Sequence, residues 1–169
     1  FGTMDEGADG PKPLGHVWSY DGHSPPRILF GGVKISNSLC FSPDGRLMYF
    51  ADTPTRRIDV FDYDVSTGTP SHRRVFAALK TDAGYPDGST VDAEGYLWNA
   101  EWDGGRVVRY DPHGRIDRVI TLPVPHVTCC AFGGPTLSDL YITTARVGLS
   151  AETLAAAPLS GSLFVVPNA

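Results

Sequence analysis

Two side chains that stand at matching points of a repeat offer oxygen atoms to a common site. Asn37 lies in Ser36-Asn37-Ser38-Leu39-Cys40-Phe41-Ser42-Pro43-Asp44-Gly45, and Asp87 lies in Pro86-Asp87-Gly88-Ser89-Thr90-Val91-Asp92-Ala93-Glu94-Gly95. Asn37 stands eight residues before Gly45, and Asp87 stands eight before Gly95. Each segment opens on a short carboxamide or carboxylate, runs through small residues and closes on an acidic-Gly turn. Brought together, the two form a hard oxygen donor pair suited to one divalent cation, Ca²⁺ or Zn²⁺ first, with Mn²⁺, Mg²⁺ and Fe²⁺ as further candidates. With so few charged protein ligands, such an ion keeps open positions, polarises a carbonyl and stabilises the oxyanion that forms on attack. Asp87 is also placed to orient or deprotonate a water molecule. The plainer reading is that both residues cap turns at the starts of strands.

The elements around these residues repeat with them. After the first turn come expected strands at 47–51 and 57–63, a loop at 65–70 and an outer strand at 73–77. The same order recurs at 87–92, 96–101, 106–110 and 117–121. A third copy reads as strands at 128–132, 140–143 and 162–166, with an insert at 145–159 in which 150–156 form a helical turn or two capped by Ser150. Upstream, residues 1–4 read as the end of a strand, followed by a Gly/Asp/Pro-rich loop at 5–13. Residues 15–20 alternate apolar and polar, as a half-buried strand does. A short outer strand at 27–30 is expected to break at Gly31-Gly32. Repetition at about 50 residues points to a propeller or a similar array. The innermost strand of each propeller blade lines the central channel, so matching positions in successive blades converge there. Residues 1–169 show no domain boundary or linker and read as one all-β domain. Three copies and a partial one do not close a ring, and an open ring exposes edge strands. Further N-terminal blades, or a complementing chain, are therefore expected.

Composition narrows the partners. The 169 residues are 41% hydrophobic with a net charge of −5 and no basic stripe, which argues against nucleic acid. No apolar run approaches bilayer length, so no membrane partner is expected. Cys40, Cys129 and Cys130 are too few and wrongly spaced for a disulfide framework or a structural zinc site. Adjacent Cys129 and Cys130 are expected to face opposite sides of a strand, one in the core and one toward an inter-blade gap. Low cysteine use and the lack of a visible signal pattern suggest a cytoplasmic protein.

Taken in order, these segments resemble the SMP-30/gluconolactonase/regucalcin-like family of six-bladed β-propellers. The resemblance rests on Gly2-Thr3-Met4, Ile35-Ser36-Asn37, Phe41-Ser42-Pro43-Asp44-Gly45, Tyr49-Phe50-Ala51-Asp52-Thr53 and Ile58-Asp59-Val60-Phe61-Asp62-Tyr63-Asp64. It continues through the Asp87 segment, Gly104-Gly105-Arg106-Val107-Val108-Arg109, Phe132-Gly133-Gly134 and Leu140-Tyr141-Ile142-Thr143-Thr144-Ala145-Arg146. The chain matches the family's C-terminal three to four blades. The resemblance implies a metal-dependent hydrolase acting on a sugar lactone, with the ion held by Asn37, Asp87 and a Glu of an earlier blade. It also places an Arg and an Asn that bind substrate in the part without a counterpart here. Relatives often carry Gly directly after the metal-binding Asn; Ser38 departs from this and is expected to put a hydroxyl near the channel, altering substrate fit more than metal binding.

Met4, Glu6 and Trp102 are candidate substrate-binding residues at the channel mouth. Glu6 stands nearest in register to an acidic residue of relatives that approaches substrate. The alternatives are core packing for Met4, a solvated loop acid for Glu6 and inter-blade packing for Trp102. His126, just before the third inner strand, could reach the channel as an acid or base, or be a hydrogen-bonded loop residue. Asp52 and Thr53 are expected to brace a loop. Nucleophile elbows, phosphate loops and His-Glu-x-x-His helices are not found in the sequence. Besides lactone hydrolysis, the residues are compatible with a non-catalytic Ca²⁺-binding regulatory propeller, with organophosphate or aryl-ester hydrolysis on the same site, and with an inactive partial propeller.

Overall fold

Residues 47–51 are apolar on both faces, and 97–101, with Asn99 and Glu101 on one face, are buried on both, so each segment is covered from two sides in a stack of sheets rather than a single layer. The structure, a computed structural model, describes residues 1–5, 7 and 9–169. Strands β1 (Gly15–Ser19) and β2 (Arg27–Val33) pair antiparallel. The next sheet runs in consecutive order through β3 (Ser36–Phe41), β4 (Leu47–Asp52), β5 (Arg57–Asp64) and β6 (Thr69–Ala78). A second four-stranded meander follows with β7 (Tyr85–Val91), β8 (Leu97–Trp102), β9 (Arg106–Tyr110) and β10 (Ile116–Thr121). The last sheet contains β11 (Val127–Gly133), β12 (Asp139–Thr144) and β13 (Leu163–Val166). One short helix, α1 (Ala151–Ala156), interrupts it, and the Ser150 hydroxyl accepts from the Thr153 N–H at 3.1 Å as its N-cap. No helix among the described residues is long and apolar enough to cross a membrane.

The period-two alternation of the middle strands sends successive side chains to opposite neighbours. Met48 and Phe50 pack with Val17, Val33 and Phe61. Tyr49 and Ala51 join Ile58, Leu97 and Val108 in the next interface. Trp98 and Ala100 do the same with Val127, Leu140 and Ile142. The core is therefore a series of inter-sheet layers, and these seat the inner strands β3, β7 and β11 beside one another. Gly88 lies where β7 and β11 come closest: a Cβ there would stand 2.4 Å from the Cys129 Sγ. Cys130 is buried in the core while Cys129, its neighbour, is exposed beside Gly88.

Two strands differ from expectation by more than two residues. β2 runs through Gly31-Gly32 to Val33, because Gly31 pairs opposite His16 and a Cβ there would meet the imidazole at 2.6 Å. β6 starts at Thr69 rather than 73 and includes Pro70 opposite Tyr63. β6 is the outer strand of its sheet, where a residue without an N–H is tolerated. Residues 1–4 lie beside β1 with a bridge from Gly2 to Val17 and a 2.8 Å bond from the Thr3 N–H to the His16 carbonyl.

Candidate functional site

Each inner strand carries a one-residue shift of register near its start: between Asn37 and Cys40 in β3, between Pro86 and Ser89 in β7, and between Val127 and Cys129 in β11. A shift of this kind releases a residue from the ladder and re-aims its side chain. Asp87 lies within its shift, and Asn37, paired with Ala51, stands directly before its own, on neighbouring inner strands.

Local hydrogen bonds settle which way the Asn37 amide faces. The Thr53 hydroxyl, from the 3-10 turn Thr53–Thr55, donates its single proton to the Pro86 carbonyl at 2.8 Å. Toward Asn37 the same oxygen can then only accept, and it takes a 2.9 Å bond from Nδ2. Among the described residues, the Asn37 Oδ1 is left without a hydrogen-bond donor and available as a metal ligand atom. Thr53 thus bridges the strand of Asn37 to the residue preceding Asp87, a role the sequence did not reveal. Asp52, by contrast, braces the local loop as expected, accepting from the Ile35 N–H at 2.9 Å and the Lys34 N–H at 3.2 Å.

Burial pushes the Asp87 carboxyl up to about 6, and the neighbouring Gly88 N–H offsets only part of this. Among the described residues Asp87 has no ion-pair partner, unlike Asp59, whose buried carboxylate is held by Arg57 at 3.1 Å and Arg73 at 2.6 Å. A half-buried carboxylate without a cation among the described residues, on the strand neighbouring that of an oriented amide oxygen, is a donor set that suits a hard divalent ion. Two protein oxygens do not fill a coordination shell, and no cluster of three or more His, Cys, Asp or Glu residues that could hold a metal is present among the described residues.

The sequence profile of the SMP-30/Gluconolactonase/LRE-like region matches residues 1–146. The chain belongs to this family. L-arabinolactonase of Azospirillum brasilense is 43% identical over 166 residues, covering 98% of this chain and 54% of that protein. The crystal structure of a calcium-binding protein, regucalcin, from Agrobacterium tumefaciens is similar with a TM-score of 0.90 at 37% identity, over 98% of this chain and 55% of that one. A gluconolactonase of Xanthomonas campestris matches with a TM-score of 0.70 at 26% identity, over 91% and 44% of the two chains. The fold is accordingly that of the regucalcin-like six-bladed propellers, and the chain spans about half the length of the curated relatives it matches.

Within this SMP-30/gluconolactonase-like frame the other candidate residues take distinct places. Met4 is 48% exposed in this chain. The Ser36 hydroxyl donates to the Thr3 carbonyl at 3.1 Å, so the segment carrying Met4 runs beside the residue that precedes Asn37. Glu6 lies outside the described residues. Trp102 pairs with Tyr85, two residues before Asp87, and its ring stacks on His126 at 3.8 Å between centroids. His126 is buried, with Nε2 2.8 Å from an Asp103 carboxylate oxygen. It therefore backs the Trp102 ring instead of standing free.

The Ser38 hydroxyl is buried and takes partners across the boundary between β3 and β7. Ser38 is 2% exposed, and its backbone sits at φ +54°. Asn99, also buried, donates to the Ser89 hydroxyl at 2.9 Å and to the Ser38 hydroxyl at 3.2 Å. One signal pointed to Asn99: a carboxamide in the otherwise apolar run Leu97-Trp98-Asn99-Ala100, where burial demands a partner.

Proposed function

We propose that this chain forms the Asn37/Asp87 half of a divalent-metal-dependent sugar-lactone hydrolase. The observation that carries the reading is Asp87: a carboxylate raised by burial, with no counter-cation among the described residues, one strand away from an amide oxygen turned outward by Thr53. Asn37 Oδ1 and the Asp87 carboxylate would hold the divalent cation, which would supply Lewis-acid chemistry at the lactone carbonyl. Asp87 orients the attacking water and takes up its proton. Met4 and the Trp102 ring, backed by His126, form apolar walls against which a small cyclic ester can lie. The names of the relatives, an L-arabinolactonase and a gluconolactonase, support an aldonolactone as substrate.

The intact protein should hydrolyse an aldonolactone panel, lose turnover on EDTA treatment and regain it with Ca²⁺, Zn²⁺ or Mn²⁺. Turnover that survives exhaustive chelation would remove the metal from the reading. The calcium-binding regucalcin neighbour favours one second reading, a non-catalytic Ca²⁺ propeller. Its signature is stoichiometric Ca²⁺ binding by calorimetry with no hydrolysis of any lactone offered.

Thr53→Val tests the orienting relay. Valine keeps the shape but removes the acceptor that fixes the Asn37 amide, and loss of such an outer partner lowers metal affinity by about 10-fold or more. Calorimetric titration with Mn²⁺ should show the drop. Unchanged affinity would mean that Asn37 is aimed by something other than Thr53.

A further inference from the structure

Ser38 occupies a left-handed backbone conformation that costs a residue with a Cβ roughly 1 kcal/mol and glycine almost nothing. A serine at this buried position must therefore be held there by what its side chain does. Its hydroxyl is 2.7 Å from the Asp87 carbonyl oxygen. A carbonyl cannot donate, so the Ser38 proton lies in that contact. The two remaining lone pairs of the same oxygen take the Ser89 hydroxyl at 3.0 Å and the Asn99 amide at 3.2 Å. Every hydrogen-bonding position on Ser38 Oγ is filled, and all three partners belong to the neighbouring sheet.

We propose that Ser38 is a positioning residue: its hydroxyl fixes the Asp87 backbone across the boundary between two blades and so sets the spacing between the Asp87 carboxylate and Asn37. This rests on the reading of Asn37 and Asp87 as the donor pair. The geometry is direct, because Ser38 is the residue after one donor and its bond ends on the backbone of the other. Asp87 lies within the register shift of β7, between Pro86 and Ser89, and its carbonyl is held from β3. Thr53 makes the corresponding link from the other side, ending on the Pro86 carbonyl. The two contacts clamp the peptide units on either side of the Asp87 side chain.

The test uses the intact protein with Ser38→Ala and Ser38→Gly. Alanine keeps the strained backbone and loses the hydroxyl; glycine loses the hydroxyl and relieves the strain, so it folds even if alanine does not. Both variants are expected to bind Mn²⁺ and Ca²⁺ about 10-fold more weakly by calorimetry, the size of effect seen when an outer-shell partner of a ligand is removed. Both should also lower kcat for an aldonolactone with little change in KM, and Ser38→Gly should melt higher than Ser38→Ala. Wild-type metal affinity and kcat in Ser38→Gly, with only the melting temperature altered, would overturn the proposal and leave Ser38 as a packing residue. Asn37→Ala and Asp87→Ala titrated alongside separate the two levels. If they lose binding while Ser38→Gly keeps it, only the positioning role falls. If they bind as wild type, the donor pair itself falls and the positioning role with it.

Discussion

Asp87→Asn is expected to lower lactone turnover by about three orders of magnitude, the middle of the range for loss of a positioned acid–base group, while making the metal-free protein more stable above pH 6. The two effects have one cause. Burial raises the Asp87 carboxyl from 3.8 to about 6, so the folded chain holds a proton that the unfolded chain has already released. Stability from this group is complete below pH 4 and is lost as pH rises through about 6, because the ionised carboxylate must then remain half-buried without a partner. A shift of about two units corresponds to roughly 3 kcal/mol, and screening at the open side of the site reduces this to about 2 kcal/mol at pH 7.5. Asparagine does not ionise and removes the penalty. Urea melts of metal-free wild type and Asp87→Asn should converge near pH 4 and separate at pH 7.5, with the variant the more stable. Parallel curves across that range would show that Asp87 ionises freely in the folded state and is not the buried carboxylate described above.

Arg106→Met should destabilise the protein by about 3 kcal/mol, the lower end of the range for stranding one partner of a buried ion pair. Glu101 is completely buried, accepts a 2.7 Å bond from Arg106 Nε, and is paired across β7–β8 with Pro86, directly before Asp87. The Tyr110 hydroxyl, 3.4 Å from its other oxygen, is too distant to replace a guanidinium. Arg106 keeps part of its side chain in solvent, so the estimate belongs at the low end. Glu101→Gln combined with Arg106→Met removes the stranded charge and should recover most of the loss. A double-mutant cycle by denaturant melts measures this, and single and double variants of equal stability would contradict it.

Local grammar made much of the fold legible. Acidic-Gly turns at Asp44-Gly45 and Glu94-Gly95, with apolar runs after each, located β3–β4 and β7–β8 to within about two residues, and the Arg106–Tyr110 strand was placed without error. The misses have physical causes. Gly31-Gly32 reads as a chain break, yet it is a strand pressed against an imidazole, and close approach leaves the same mark on a sequence as flexibility. The outer strand β6 was read short because Pro70 signals a turn unless the strand is known to lie at an edge. The placement of Asn37 and Asp87 on neighbouring inner strands was legible because the repeat aligns them. Their supports were not: Thr53 meets Pro86 across 33 residues, and Ser38 meets Asp87, Ser89 and Asn99 across 49, 51 and 61. Such contacts are created only when the sheets stack, and no spacing within one copy announces them.

The register shift repeated at the head of β3, β7 and β11 makes the channel wall addressable. At each shift a residue has left the ladder, so replacing its side chain keeps the backbone hydrogen bonds between the strands, although at Thr128 it exchanges a 2.7 Å contact with the Thr143 hydroxyl of β12. Thr128, freed between Val127 and Cys129, is the third such address, now occupied by a hydroxyl. A redesign that writes an acidic residue there would add an oxygen from the third blade while leaving the inter-sheet layers untouched. The architecture thereby separates the vocabulary of the inner strands from the syntax of the fold.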